Sequence, residues 1–555
     1  MIERLKHGQL IFILIAMAYF FLMLGNGMIS LTHPDEVFYI QTAKEMMTHK
    51  SWLVPYIFDL PQFEKPIFSY WLFILAIKVF GMTAFAARFV PALFGMVGVL
   101  ATYWLAMMLF NSKRTAFLSA TVLMTSVIYL ALSRAVLTDM VFSIWVVLAL
   151  CFFYYGYTDA RRKTLGILMC FILSGVAVLT KGLLGFIFPA GVIFGYLLYK
   201  KDLAFLKNGV TVIGFLVFLA INLPWHILMV KWYGSVFISE YWNNVHLRRI
   251  FEAEHLKSKT WYFYLMTVIG GIFPWSLFIL PAGYLSLRNL RRSNPHKDQM
   301  AFLLFLIAVV FAVVQIAQSK LASYVFPVFP AIAIIIGYYF DRVISGGELL
   351  LEKMARIFFY IMAAFLAIAS AASIIVGQRY AEFIGDMKTV YVFMGLALAC
   401  AAAIVFFNQQ RKLTAAAGAT ACIIAVVLVS ASTGYHNAEP WVSCKLICDA
   451  LKKVDSSDSA LLCSKFYVRG VRFYTDRKTA VIDINGSGFF SPHPIPFLSD
   501  DSKVRDFLSS QSVTYCIVKE SNKRDIERLT AGQFLVEKID EIGGKYLLKV
   551  QKIKG

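Results

Sequence analysis

Charge is what this sequence has least of. Asp, Glu, Lys and Arg make up only 15% of its 555 residues, whereas 59% are hydrophobic, and the mean hydropathy is +0.68. A soluble domain carries about 25% charged and about 45–50% apolar residues. So large an excess of apolar surface cannot be hidden in a soluble core. That excludes an ordinary cytosolic enzyme and leaves a polytopic membrane protein. Acidic residues are the scarcer sign: 33 Asp+Glu stand against 53 Lys+Arg, a formal net charge of +20. In a soluble chain this would point to nucleic acid. In a membrane protein it reflects basic cytoplasmic connectors, and no nucleic-acid partner is expected. The eight cysteines show no zinc-type spacing. Tandem repeats, low-complexity tracts and heptads are missing. No Walker A or dinucleotide-binding fingerprint is evident, so no nucleotide cofactor is expected.

Apolar runs are what is there. The first follows Arg4 and Lys6, continues to about Leu31, and reads as an uncleaved span. Further runs lie at roughly 84–110, 115–132, 139–157, 164–180, 182–199, 204–229, 262–285, 298–317, 322–341, 354–376, 387–407 and 412–434. Each approaches the ~20 residues a bilayer core demands. About thirteen transmembrane helices are expected. The stretch Ile67–Phe80 is too short to cross and reads as interfacial or re-entrant. With that stretch not crossing, the basic connectors at Lys113/Arg114, Arg161–Lys163, Lys200/Lys201, Arg288/Arg291/Arg292, Arg342/Arg356 and Arg411/Lys412 fall on the N-terminal side. The positive-inside rule makes that side cytoplasmic. The expected organisation is a membrane domain over 1–434, with outer loops 32–83 and 230–261. A small soluble α/β domain over 435–555 follows on the outer side. Its strand-like runs (Ala460–Tyr467, Ala480–Ile484, Val513–Val518, Tyr546–Val550) alternate with helix-like ones (Val442–Val454, Lys503–Ser509, Asp525–Leu529). Cys444, Cys448, Cys463 and Cys516 fall there, either as disulfides or as buried thiols.

The outer loops hold the chemistry-bearing residues. Asp35 and Glu36 follow the first span directly, as functional acids or as solvated caps. Asp139 lies at the edge of hydrocarbon, where an ionisable residue is costly and by default functional; the bland alternative pairs it with Arg134. Phe63-Glu64-Lys65-Pro66 precedes Tyr70-Trp71, a pair suited to an interfacial belt. Lys65 and Arg88 are each either a nonspecific lipid contact or the holder of a specific phosphate. The loop Glu240–Ile250, with His246, Arg248 and Arg249, is basic although it lies outside. Trp261, Tyr262 and Trp275 read as belt residues, and Lys181, Lys320 and Tyr324 add to the outer edge. Acids and cations gathered at membrane level suit a reaction on a lipid-phosphate-linked sugar. A carboxylate takes the acceptor's proton, and cations stabilise the departing phosphate.

The ordered series Asp35-Glu36…Tyr39…Glu45…Trp52…Phe63-Glu64-Lys65-Pro66…Tyr70-Trp71, Ala87-Arg88, Thr138-Asp139, Thr180-Lys181-Gly182, Pro224-Trp225, His246-Leu247-Arg248-Arg249, Pro274-Trp275 and Ser319-Lys320…Tyr324 resembles the GT-C glycosyltransferases of the protein-mannosyltransferase superfamily. Within it, the series is most similar to the bacterial branch of 4-amino-4-deoxy-L-arabinose lipid A transferases. The resemblance covers roughly residues 10–345. It implies an undecaprenyl-phosphate sugar donor and an inverting transfer on the periplasmic side of the inner membrane. The acceptor is then lipid A or another envelope glycan. By the same correspondence Asp35 is the catalytic carboxylate and Asp139 the second catalytic acid. Lys65, Arg88, Arg249 and Lys320 meet the donor phosphate. Glu36, Tyr39, Tyr70 and Tyr324 line the substrate cavity, and Glu64 with His246 can hold a divalent metal ion. Two positions depart from that branch: Val37-Phe38 stands where many members have Thr-Arg, and Lys65-Pro66-Ile67 where many have Lys-Pro-Pro.

Two further readings follow from the same residues: a transporter or flippase for a lipid-linked sugar, and, within the transferase class, a protein O-glycosyltransferase. A transporter would place charges deep within its spans and broken helices at the midplane of related halves. Here mid-span charges are scarce and the unusual residues gather on one face. A mere scaffold leaves the charged outer loops unexplained.

Overall fold

The computed structural model describes residues 2–248, 251–252, 260–291, 294–346, 348–385, 387–484, 486, 488–489 and 495–553, with the side chain of His246 outside the description. Among the described residues, nine helices are long and apolar enough to cross a bilayer, from Ala84–Phe110 to Leu413–Val442. Two more apolar helices, His7–Met23 and Leu184–Lys200, are shorter. At about 1.5 Å per residue they fall just under a ~30 Å hydrocarbon core. Phe68–Phe80, 13 residues long, is shorter still, reaching about 20 Å.

Two of the expected runs are not continuous helices. Run 115–132 breaks into Lys113–Met124 and Val127–Ser133, which meet at 66°. Run 262–285 breaks into Phe263–Gly271 and Ser276–Asn289, at 118°. The causes are local. At the first break, the Thr125 and Ser126 hydroxyls donate back to the Thr121 and Leu123 carbonyls, which competes with the helical ladder. At the second, Pro274 removes a donor and disfavours helix at Phe273. The breaks face each other. Val127 N–H donates to the Phe273 carbonyl at 3.0 Å, and Trp275 Nε1 donates to Thr125 Oγ1 at 3.0 Å. Trp275 and Tyr70 are therefore interior residues, 1% and 0% exposed, and not the belt residues expected; Trp261, at 75%, is exposed. Elsewhere helices close in through small residues. A Cβ on Gly337 would lie 2.6 Å from the Ser119 backbone nitrogen.

The last membrane helix runs past the expected boundary at 434 and ends at Val442. Beyond it lies a six-stranded sheet with β3 (Leu461–Ser464), β4 (Thr479–Ile482), β5 (Phe497–Leu498), β6 (Val513–Val518), β7 (Phe534–Ile542) and β8 (Lys545–Lys552). A short hairpin, β1 (Tyr56–Ile57) and β2 (Leu60–Pro61), precedes it in the first loop. The sheet order is β5-β4-β3-β6-β8-β7; the first four strands are parallel and the last two antiparallel. β3, β4 and β6 are buried on both faces and read in the sequence as apolar runs. β7 is an edge strand carrying Glu537, Lys538, Asp540 and Glu541, a charged composition that protects an edge from pairing and conceals it as a strand. All eight cysteines are free thiols, with Cys444, Cys448, Cys463 and Cys516 fully buried.

The sheet domain is clasped to the first loop. Tyr474 Oη donates to the Leu31 carbonyl (3.1 Å), Arg472 to Asp59 (2.6 Å) and Lys44 to Asp476 (2.5 Å). His33 N–H donates to the Val442 carbonyl at 3.3 Å.

Candidate active site

Asp35 and Glu36 open the helix Asp35–Thr48, where the exposed N–H groups and the helix dipole favour carboxylates. They part immediately. Glu36 turns inward and accepts from Thr32 N–H and Oγ1 (both 2.9 Å), Val136 N–H (3.1 Å), and Arg88 Nε (2.8 Å) and Nη2 (2.5 Å). Burial alone would raise its pKa. The Arg88 bonds and charge, with the Thr32 and Val136 amides, outweigh this and hold the carboxyl below its usual range. Arg88 also donates from Nη1 to the carbonyls of Asn26 and Ile29, and from Nη2 to that of Ser30. All five guanidinium donors are thus occupied. Arg88, expected to meet the donor phosphate, thus has every donor on a protein acceptor, and Glu36, expected in the substrate cavity, is its partner and is not in the described lining. Together they fix the position of exposed Asp35.

The far end of the same helix sets the loop that follows. Glu45 accepts from the amides of Phe58 (3.0 Å) and Asp59 (2.8 Å), the two positive-φ residues of the β1–β2 turn. The hairpin leads directly into Glu64 and Lys65.

Asp35, Tyr39, Glu64, Lys65 and Asp139 line one cavity of about 630 Å³. Lys181, Ser323 and Tyr324 line it as well. Asp139, 5% exposed, receives the Lys181 ammonium at 2.5 Å, and that ammonium lies 5.0 Å from the Tyr324 ring centroid. Arg134, the alternative partner, is engaged elsewhere, with the carbonyls of Phe21 and Leu24. The Tyr39 phenol is held well above its usual pKa by burial and by the nearby Asp139 charge, so it stays a proton donor.

Other expected residues are placed differently. Tyr70 is fully buried and accepts from Gln62 Nε2 at 2.7 Å. Lys320 packs with its ammonium 5.5 Å from the Tyr264 ring centroid, and burial lowers its pKa. Neither is in the described lining of the cavity. Arg249 and the side chain of His246 lie outside the described residues. Of the expected metal pair, Glu64 lines the cavity; a pair alone supplies two of the four ligands of a zinc site. Among the described residues, Glu45, His49 and Asp59 form one close group of potential ligands. Glu45 there is held by the turn amides and Gln41, and Asp59 by Arg472. It acts as a clasp in the fold.

The sheet domain supplies two cations that the sequence reading did not single out. Lys465 and Arg469 both line the cavity, the Arg469 guanidinium 4.7 Å from the Phe38 ring centroid. Their four-residue spacing across the start of the helix Val468–Thr475 is visible in the sequence. Their partner surface, 400 residues away, is not.

The cavity joins the first-loop carboxylate, the acid-and-base pair before proline, and the Asp139 turn, three pieces far apart in sequence. A family model described as dolichyl-phosphate-mannose-protein mannosyltransferase matches residues 9–236, which span the three. Over that stretch the chain is similar to the protein-mannosyltransferase family. Among curated proteins, it is 29% identical over 356 residues to an undecaprenyl phosphate-alpha-4-amino-4-deoxy-L-arabinose arabinosyl transferase of Photorhabdus laumondii, covering 62% of each chain. It is 27% identical over 352 residues to the protein of the same description from Erwinia tasmaniensis, covering 62% of this chain and 61% of the other. The match thus spans about three fifths of these relatives' length. Among solved structures, ArnT from Cupriavidus metallidurans bound to undecaprenyl phosphate superposes with a TM-score of 0.78 at 20% identity, covering 98% of both chains. That likeness establishes the fold over the whole chain, sheet domain included. The apolar helices and this fold likeness together make it a polytopic membrane protein.

Proposed function

We propose that the protein is an integral-membrane glycosyltransferase that moves a sugar from an undecaprenyl-phosphate-linked donor to lipid A or another envelope glycan, with inversion at the anomeric carbon. The cavity described above, which gathers carboxylates and cations from loops far apart in sequence, is the observation that carries this reading. The names of the relatives and the undecaprenyl phosphate held by the ArnT structure support the donor class. The basic connectors on the opposite face support a cytoplasmic N-terminus, with the cavity and the sheet domain in the periplasm.

Asp35 is the general base. As the acceptor oxygen attacks the anomeric carbon, its proton passes to the Asp35 carboxylate. The bond from that carbon to the phosphate oxygen breaks, and the electron pair leaves with undecaprenyl phosphate. Lys65 meets the growing phosphate charge. Asp139, neutralised by Lys181, positions substrate hydroxyls beside the Tyr39 phenol. Position 38, an arginine in many members of the lipid A branch, is Phe38 here; Arg469 brings a guanidinium over its ring. If a divalent metal binds at Glu64, it adds positive charge beside the leaving phosphate, and no step above depends on it.

The test is turnover of an undecaprenyl-phosphate sugar by the purified protein and by Asp35→Asn. The variant is expected to insert normally and lose at least 100-fold in rate, the scale of a positioned base (~10²–10⁴-fold). Full turnover by the variant overturns the role of Asp35. Translocation of the donor without bond cleavage overturns the transferase reading in favour of a flippase. Mass spectrometry of lipid A and surface glycans, with and without the gene, identifies the sugar and the acceptor together.

A further inference from the structure

The sheet domain contains a second cavity that the reaction above does not use. From β3 the chain proceeds through β4 to β5 at one edge, then returns to place β6 on the other side of β3. Parallel strands leaving in opposite directions open a crevice at their carboxyl ends, where open α/β sheets bind ligands. A cavity of about 340 Å³ lies at these strand ends. Lys465 directly follows β3, Asp483 follows β4 and Lys519 follows β6, and all three line it. Arg469 and Asn522 complete its polar wall, and the rings of Phe466 and Phe489 its apolar one.

The strand ends are held in register from behind. Ser464 Oγ accepts from Lys519 N–H at 2.9 Å and donates to Asn522 Oδ1 at 2.7 Å. Lys465 Nζ reaches the Gly488 carbonyl at 3.2 Å. Among the described residues, three cations and one carboxylate line this small space. Phosphate is the anion such a trio suits. Asp483 offers a partner for a hydroxyl, and the two rings offer faces for the C–H side of a sugar. Pro34, Lys465, Arg469 and Phe489 line both this crevice and the Asp35 cavity. One molecule can thus place a phosphate in the crevice and a hydroxyl beside Asp35.

We propose that the β3/β6 crevice is a subsite for the phosphate group of a phosphorylated saccharide, with Lys465, Arg469 and Lys519 as its cationic wall. That this saccharide is the acceptor rests on the transferase reading; that the crevice binds a sugar phosphate does not. The donor's phosphate has its own place at Lys65.

The experiment measures equilibrium binding to the full chain in nanodiscs, without turnover. The soluble probes are glucose 1-phosphate and glucose. The lipid-borne probes are a diphosphorylated lipid A and its dephosphorylated form. Lys519 lines the crevice but not the Asp35 cavity, and it is exposed. Lys519→Gln is expected to weaken the phosphorylated probes about tenfold, as the loss of one charge-assisted hydrogen bond does. Lys519→Arg is expected to restore them. Binding of the phosphorylated lipid alone makes the source a lipid headgroup; binding of both makes a free sugar phosphate sufficient. Either supports the subsite. Equal affinity of wild type and Lys519→Gln, equal affinity for glucose and glucose 1-phosphate, or no binding of any phosphorylated probe overturns it. Lys519-dependent binding by a chain that transfers no sugar would sink the transferase reading and leave the subsite standing.

Discussion

Lys181 Nζ lies 2.5 Å from Asp139 Oδ1, tying the end of one membrane helix to the start of another. Both side chains are nearly covered, at 12% and 7% exposure. Removing one member leaves the other charge buried alone, which costs about 3–5 kcal/mol. Lys181→Met is therefore expected to lower thermal stability sharply, and Asp139→Asn/Lys181→Met to recover most of it. The check is a double-mutant cycle on melting temperature in a single detergent.

Arg88 separates a structural role from a ligand role. Because its five donors all meet protein acceptors, Arg88→Lys is expected to destabilise the first loop by about 1.5–3 kcal/mol, the scale of a lost hydrogen bond to a charged group. A phosphate ligand would instead raise KM for the donor at unchanged stability. Thermal melts set beside donor kinetics decide between the two.

Lys65 is expected to behave in the opposite way. Lys65→Ala should reduce kcat about 10²–10³-fold, as the loss of one preorganised charge-stabilising donor does. Its melting temperature should change much less than that of Arg88→Lys. Single-turnover rates with an undecaprenyl-phosphate sugar test this.

His33 gives the domain junction a pH dependence. It is 9% exposed, between Cys444 and the rings of Phe466 and Tyr467. Burial, aided by the Lys545 charge, lowers its pKa from 6.5 to about 4. The unfolded chain then takes up a proton at a higher pH than the folded one. The stabilisation is complete above pH 6.5 and is lost as pH falls from 6.5 towards 4, by on the order of 2–3 kcal/mol. His33→Gln is expected to flatten this slope. Denaturation midpoints across that window measure it.

Membrane class, the short apolar helix Phe68–Phe80 and the cores of β3, β4, β6 and β8 were legible because each rests on composition over a contiguous stretch. Asp35, Lys65 and Asp139 were legible as charged residues where loops break apolar runs, and the three line one cavity. The breaks at Thr125–Ser126 and Phe273–Pro274 were not, because polar hydroxyls and one proline disturb run-averaged hydropathy very little. The bonding of Arg88 was hidden for a different reason. A sequence shows that an arginine stands near a membrane edge but not how many of its donors are already taken.

Hydrophobic runs alone determined that this chain enters a bilayer, and the order of its loops determined which side chains could meet there. Only the tertiary structure decided which did. Lys181 rather than Arg134 neutralises Asp139, Arg88 turns away to hold Glu36, and Lys465 and Arg469 arrive from a domain 400 residues downstream. The physical reason is that bilayer entry follows from the apolar area of contiguous stretches, whereas pairing of buried charges depends on distances of a few ångströms between distant residues. Those distances exist only once the helices and the sheet have packed.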